Sequence, residues 1–288
     1  MGEKTMENVL AAIDASAYAE SVCRYAGWAS RRLELPVELL HVVQRQDPVT
    51  ARRDLSGAIG LGVKGNLMDE LVRLSEESSK AEIERGRALL AAGEAILREG
   101  GATGVATLHR HGGIVETILE REDEARVVVI GKRGAGHEFA SDHIGSKIER
   151  VVRASEKPVL VASRNFVEPR RVVFAYDASP AAGRALERLA NSPLFAGLPV
   201  TIVMADAPGD AKRSQLDRAV ETVAPGHQVD AIMEPGRAEQ VIPDVVSAIE
   251  GALLLMGAYG HSPIRRMIVG STTSEMVRTV KAPVLLVR

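Results

Sequence analysis

Three stretches of this chain occur twice. NVLAAIDAS at 8–16 returns as RVVFAYDAS at 171–179, and ARVVVIGKRG at 125–134 returns as GALLLMGAYG at 251–260. IGSKIERVVRASEKPVLVA at 144–162 returns as VGSTTSEMVRTVKAPVLLV at 269–287. Self-similarity on this scale means that one supersecondary plan is used twice, and any fold must satisfy both copies. The spacing between partners is uneven: 163 from Asp14 to Asp177, but 125 from Gly145 to Gly270. The first copy therefore carries extra residues between its first and fourth strands. The 288 residues divide into domains at 1–164 and 165–288, each of ordinary α/β size, joined through a linker, Ser163–Arg171, that holds Pro169.

Within each copy, short apolar runs alternate with amphipathic stretches. That alternation predicts a parallel sheet with right-handed crossovers. In the first copy the strands are expected at 8–13, 37–43, 104–109, 126–130 and 159–162. Helices are expected from an N-cap at Ser16 to about Leu33, over 67–98 and 114–124, and onward from Gly145. Gln44–Asn66, with Gly57, Gly60, Gly62 and Gly65, reads as an irregular insert. The second copy has only a short helix, Lys212–Val223, after its second strand. The doubly wound order 3-2-1-4-5 makes the gap between strands one and four the switch point, where ligands bind at the carboxyl ends. Asp14 and Gly131 stand at those ends in one copy, Asp177 and Gly257 in the other, so each aspartate should meet its glycine loop. The last strands, Val159–Ala162 and Val284–Val287, are apolar and would be exposed edges. Pairing them across a pseudo-two-fold covers both.

The densest chemistry lies in Leu253–Thr273, LLLMGAYGHSPIRRMIVGSTT. A buried-strand run ends at Met256. Gly257 and Gly260 follow, then Gly270 and Ser271, with Thr272, Thr273 and Ser274 opening a helix. Glycines let backbone approach a ligand, and the first amides of a helix have no intrahelical partner. A strand, a glycine loop and a hydroxyl-rich helix start together make an anion site, most naturally for phosphate. Arg265 and Arg266 add positive charge. The spacing is neither the Walker pattern nor G-x-G-x-x-G.

This G-x2-G-x9-G-[ST] spacing, with Asp14-x-Ser16 and Asp177-x-Ser179, resembles the nucleotide-binding signature of the universal stress protein family. The likeness covers residues 8–288 in two tandem copies. It implies two tandem doubly wound five-stranded parallel-sheet domains of the adenine nucleotide alpha hydrolase-like class. In ATP-binding members of that family the aspartate after strand one contacts adenine, which here means Asp14 and Asp177. A position late in strand two, Val42 or Ala205, does likewise. The loop glycines and the helix start hold ribose and phosphates: Gly131, Gly134, Gly145 and Ser146 in the first copy. In the second they are Gly257, Gly260, Gly270, Ser271, Thr272 and Thr273, with Met256 and His261 beside them among the expected ligand-binding residues. The implied ligand is ATP, or AMP or ADP, with Mg carried through the phosphates. The second copy matches without a gap. The first has ten residues, not nine, between Gly134 and Gly145, and Glu138 and Asp142 fall near the phosphates, with Lys132, Arg133 and Lys147 to offset them. The second copy is therefore expected to hold the better site.

A net charge of −2 makes no electrostatic case for nucleic acid or a membrane surface. One cysteine, Cys23, excludes an internal disulfide framework and suits a reducing cytoplasm. No apolar run reaches a membrane span and no leader precedes the first strand. His109 and His111 alternate on strand three and face one side, without an evident third metal ligand. The charged residues of 69–98 read as a solvated helix face. The expectation is a cytoplasmic stress-response or signalling protein whose bound state carries the function, with no catalytic residue assigned and a homodimer by family likeness. A slow ATPase or nucleotidyl transferase using His261 or Asp177 stays open. So does a tandem member that binds another small molecule or a protein through the insert.

Overall fold

The computed structural model describes residues 7–43, 64–134, 146–258 and 271–288. The first half runs β1 (Asn8–Ile13), α1 (Ala19–Leu33), β2 (Val37–Val43), α2 (Lys64–Glu99), β3 (Val105–His111), α3 (Ile114–Arg121), β4 (Ala125–Gly131), α4 (Ser146–Ala154) and β5 (Val159–Ala162). The second runs β6 (Arg171–Ala175), α5 (Pro180–Asn191), β7 (Val200–Ala205), α6 (Asp210–Val223), β8 (Val229–Glu234), α7 (Ala238–Ser247), β9 (Ala252–Gly257), α8 (Ser271–Thr279) and β10 (Val284–Val287).

All ten strands form one sheet in the order β3-β2-β1-β4-β5-β10-β9-β6-β7-β8. Each half keeps the order 3-2-1-4-5, and every pairing within a half is parallel. The halves join where β5 and β10 pair antiparallel, Leu160 opposite Leu285. The apolar edge of each half is thus the partner of the other.

Both faces of the sheet are covered, which is why the central strands are apolar along their whole length. β1 is buried at all six positions. Val9, Ala11 and Ile13 join a core under α1, α2, α5 and α6, while Leu10 and Ala12 join the opposite one under α3, α4, α7 and α8. Each core runs through both halves without a break at the seam. Polar contacts tie the halves further. The Arg32 Nε donates to the Leu194 carbonyl at 2.6 Å. The Arg288 Nη1 donates to the carbonyls of Arg153 and Ala154, at the end of α4. The Lys132 ammonium donates to the carbonyl of Val280, at the end of α8.

Four local details differ from the sequence reading. α1 begins at Ala19, and the Ser16 hydroxyl accepts from the Tyr18 amide at 3.3 Å, so Ser16 closes a turn ahead of the helix and does not cap it. Lys64–Asn66 belong to α2, so the insert is shorter at that end; 44–63 lies outside the described residues. β3 continues through His111 because Val43 and His111 still pair. α3 stops at Arg121 and tightens into a single 3-10 turn, Glu122–Glu124.

Candidate functional site

The carboxyl ends of β1 and β4 are adjacent at the switch point of the first half. Asp14 follows the last residue of β1, and its Oδ1 accepts the Ser16 amide at 3.1 Å. This turn fixes the carboxylate. The backbone after β4 passes so close to it that a Cβ on Gly134 would lie 2.9 Å from Asp14 Oδ2. The aspartate and the glycine loop do meet, as the topology requires.

Around that meeting point lies a cavity of about 380 Å³, within the roughly 300–1,000 Å³ usual for small-molecule sites. Asp14, Ser16, Val42, Gly131 and Gly134 line it, with Arg133 from the loop and Lys147 and Ile148 from the first turn of α4. The rest of the wall comes from α2: Glu82, Arg85, Gly86 and Leu89. The i, i+3, i+4, i+7 spacing puts those four on one helical stripe. Two of them correct the reading of this helix, since Glu82 and Arg85 sit on the cavity and not on a purely solvated face. The glycine at 86 was the available signal, because a helix-interior glycine costs stability unless something packs against it. Lys132 is also corrected. It does not offset charge in the cavity but reaches Val280 of the other half. Burial, reinforced by Arg133, pushes its ammonium down to about 8.

In the second half the same turn recurs, with the Ser179 amide donating to Asp177 Oδ1 at 2.9 Å. Here the serine is a true N-cap: Pro180 follows it and its Oγ accepts the Ala182 amide at 3.2 Å. Between them Ala178 adopts φ +59°, a left-handed conformation that Ala15 does not share. Asp177 is exposed, whereas Asp14 is half-buried. Lys212 pairs with Asp206 at 2.7 Å, and Asp206 first, then Asp177, holds that ammonium above its usual range. Gly257 lies against the start of α5, where a Cβ would be 2.5 Å from the carbonyl carbon of Ala181.

Of the remaining expected site residues, Met256 and Thr273 are buried and Ala205 is partly buried at the end of β7. Thr272 Oγ1 donates to Glu239 Oε1 of α7 at 2.9 Å, so that hydroxyl already has a carboxylate partner. The sequence reading missed Glu239, which topology brings to the start of α8 from 33 residues away. Ser146 and Ser271 are the first residues of α4 and α8. Gly145, Gly260, His261 and Gly270 lie outside the described residues. Among the described residues no three His, Cys, Asp or Glu side chains converge as a metal site, and no helix is long and apolar enough to cross a membrane.

The sequence profile of the Universal stress protein family matches residues 5–163 and 204–288. Universal stress protein Slr1230 of Synechocystis is 32% identical over 289 residues, covering 98% of this chain and all of that protein. A universal stress protein of Mycolicibacterium smegmatis is 24% identical over 99% of this chain and 98% of its own length. Among solved structures, a universal stress protein from Archaeoglobus fulgidus superposes with a TM-score of 0.67 at 22% identity, covering 98% of this chain and 96% of that one.

Proposed function

The chain belongs to the universal stress protein family, and from that premise we propose that it binds an adenine nucleotide, ATP or else AMP or ADP, at the switch point of its first half. One observation carries the reading: Asp14 and Gly134 come together in the wall of a half-open, largely apolar cavity of ligand size. Asp14 and the backbone at Val42 would receive the adenine, and Gly131 and Gly134 the ribose. Arg133, Lys147 and the first amides of α4 would take the phosphates, which a helix N-terminus favours by about 0.3–2 kcal/mol. A Mg ion, where present, would be held through those phosphates. The second half is a further site on the same plan, at Asp177, Ala205, Met256, Gly257, Gly260, His261, Gly270, Ser271, Thr272 and Thr273.

Binding and not turnover is the main activity in this reading, set in stress response or signalling. The bound nucleotide is then a state that other proteins read. A homodimer of whole chains in the cytoplasm completes the reading, checked by sedimentation.

Calorimetric titration of ATP decides it. Gly134→Val should abolish binding in the first half by forcing the loop off Asp14, and Asp14→Ala should weaken it by about tenfold or more, the loss of one hydrogen bond to a charged group. Undiminished ATP affinity in both variants would sink the first-half site. Steady-state hydrolysis abolished by Asp14→Asn with binding retained would instead favour a slow ATPase.

A further inference from the structure

At one register position the halves carry different chemistry. His41 of β2 pairs with His109 of β3; the matching pair in the second half is Met204 of β7 with Met233 of β8. The scaffold accepts an apolar pair there, so two imidazoles are not a requirement of the sheet. His111 continues the row on β3. The rings stack, His41 to His109 at 5.4 Å and His109 to His111 at 5.7 Å between centroids.

The row supports one wall of the cavity. The backbone of α2 rests on it at Gly86, where a Cβ would lie 2.6 Å from His109 Nε2 and 2.9 Å from His41 Cδ2. His109 Nε2 is buried without a hydrogen-bond partner. His41 Nδ1 is bonded to the Ile13 carbonyl at 2.9 Å, one residue before Asp14, and both His41 and Gly86 line the cavity. A groove of about 500 Å³ between α2 and β3, lined by Arg87, Glu94, His109 and His111, gives protons access from outside. Other charges near the row are Glu82, Glu84 and Arg85 on α2 and Asp14 beyond Ile13; Arg87 is paired with Glu84 at 2.7 Å. Arg110 alternates to the other face of β3. Burial first, then His41, His111 and Arg87, hold His109 below the usual imidazole range.

Neutral imidazoles can stack at these distances, but charging two neighbours at once sets like charges against each other, most of all between the partly buried His41 and His109, while the exposed His111 is better screened. We infer that the His41–His109–His111 row is an acid-responsive support for α2: protonation pushes the helix off β2 and β3 and opens the wall of the first-half cavity. The link to ligand release rests on the nucleotide reading above; the movement of α2 does not.

The test is backbone hydrogen exchange of the nucleotide-free full chain at about pH 7.5 and about pH 5.5, corrected for intrinsic rates, with ATP affinity measured in parallel. In the wild type the α2 amides should lose protection by about tenfold or more on acidification, one pKa unit of linkage, while α5 and α6 of the second half hold theirs. The double variant His41→Met, His109→Met copies the second half and should abolish the difference. Should that variant misfold, the imidazole proton titration of wild-type His109 replaces it: its midpoint must lie below about 6.5 and coincide with the loss of α2 protection. Equal α2 protection at both pH values, or His109 titrating without change in α2, overturns the inference. Absence of ATP binding with acid-labile α2 would fault the nucleotide reading alone; pH-independent α2 with intact ATP binding would fault this one alone.

Discussion

The two switch points share a backbone and differ in their walls. Both follow β1 or β6 with an Asp-Ala-Ser turn, and in both the glycine that ends β4 or β9 packs just beyond that turn, Gly131 on Tyr18 and Gly257 on Ala181. In the first half α2 adds a wall beside the switch point, and a half-buried aspartate lines a half-open cavity together with Arg133 and Lys147. In the second, α6 is a shorter helix, Asp177 is exposed beside the Asp206–Lys212 pair, and Glu239 holds the Thr272 hydroxyl. The spacing that favoured the second half reads only the loop. What surrounds the loop separates the halves. Duplication has kept the turn and the sheet, and the crossover after the second strand differs most, a helix of 36 residues in one half and 14 in the other.

The sharpest way to break this comparison is at two glycines beside the switch points, Gly257 at the end of β9 and Gly134 three residues beyond β4. Gly257→Val pushes a side chain into the backbone at Ala181 and Ala182 and should destabilise folding by about 3 kcal/mol or more in urea titration. Gly134→Val meets only a carboxylate oxygen and should cost about 1 kcal/mol or less, its effect falling on ligand binding. The reverse ranking would mean that the second-half strand end is the adaptable one.

Lys132 stands where the second half has Ala258. Its folded pKa of about 8 lies below its unfolded value, so between the two the unfolded chain binds more protons. Stability should therefore rise with pH from about 8 toward the unfolded value, and the full penalty is in force below 8. Lys132→Met should remove that rise and stabilise the chain by about 3 kcal/mol at pH 7, less whatever the lost bond to Val280 contributed. Thermal melts at pH 7 and pH 10 check it; a destabilised variant at pH 7 would show that the cross-half bond outweighs desolvation.

The smallest expected effect lies in the Asp-Ala-Ser turns. Ala178→Gly relieves a left-handed alanine and should stabilise by about 0.5–1 kcal/mol, whereas Ala15→Gly only frees the unfolded chain and should destabilise by about as much. Equal shifts in the two melts would mean that the two turns are the same after all.

Strand order, seam and the Asp14–Gly134 meeting were legible in the sequence because each follows from local signals and one topological rule. Apolar runs place the strands, and the repeat fixes which ends must be covered. Glu82, Arg85 and Glu239 were not legible as site residues. Their roles depend on how a helix lies across the sheet, which residue spacing does not encode. Lys132 was misjudged for a related reason. A long side chain in a glycine loop can turn toward either neighbour, and a backbone carbonyl at the end of α8 outbid the cavity.

The β5–β10 seam has a further consequence. Two separate chains that meet through such an edge form a complex whose population depends on how much protein is present. Joined by a linker of a few residues, the same contact becomes unimolecular, at an effective concentration on the order of millimolar for a short flexible tether. Occupancy of the seam then stays constant as expression rises or falls. Identical subunits across a two-fold must also carry each contact twice, so that any substitution acts at both images. This chain is released from that constraint: Lys132 reaches Val280 on one side while Arg288 reaches Arg153 on the other, and each can drift alone.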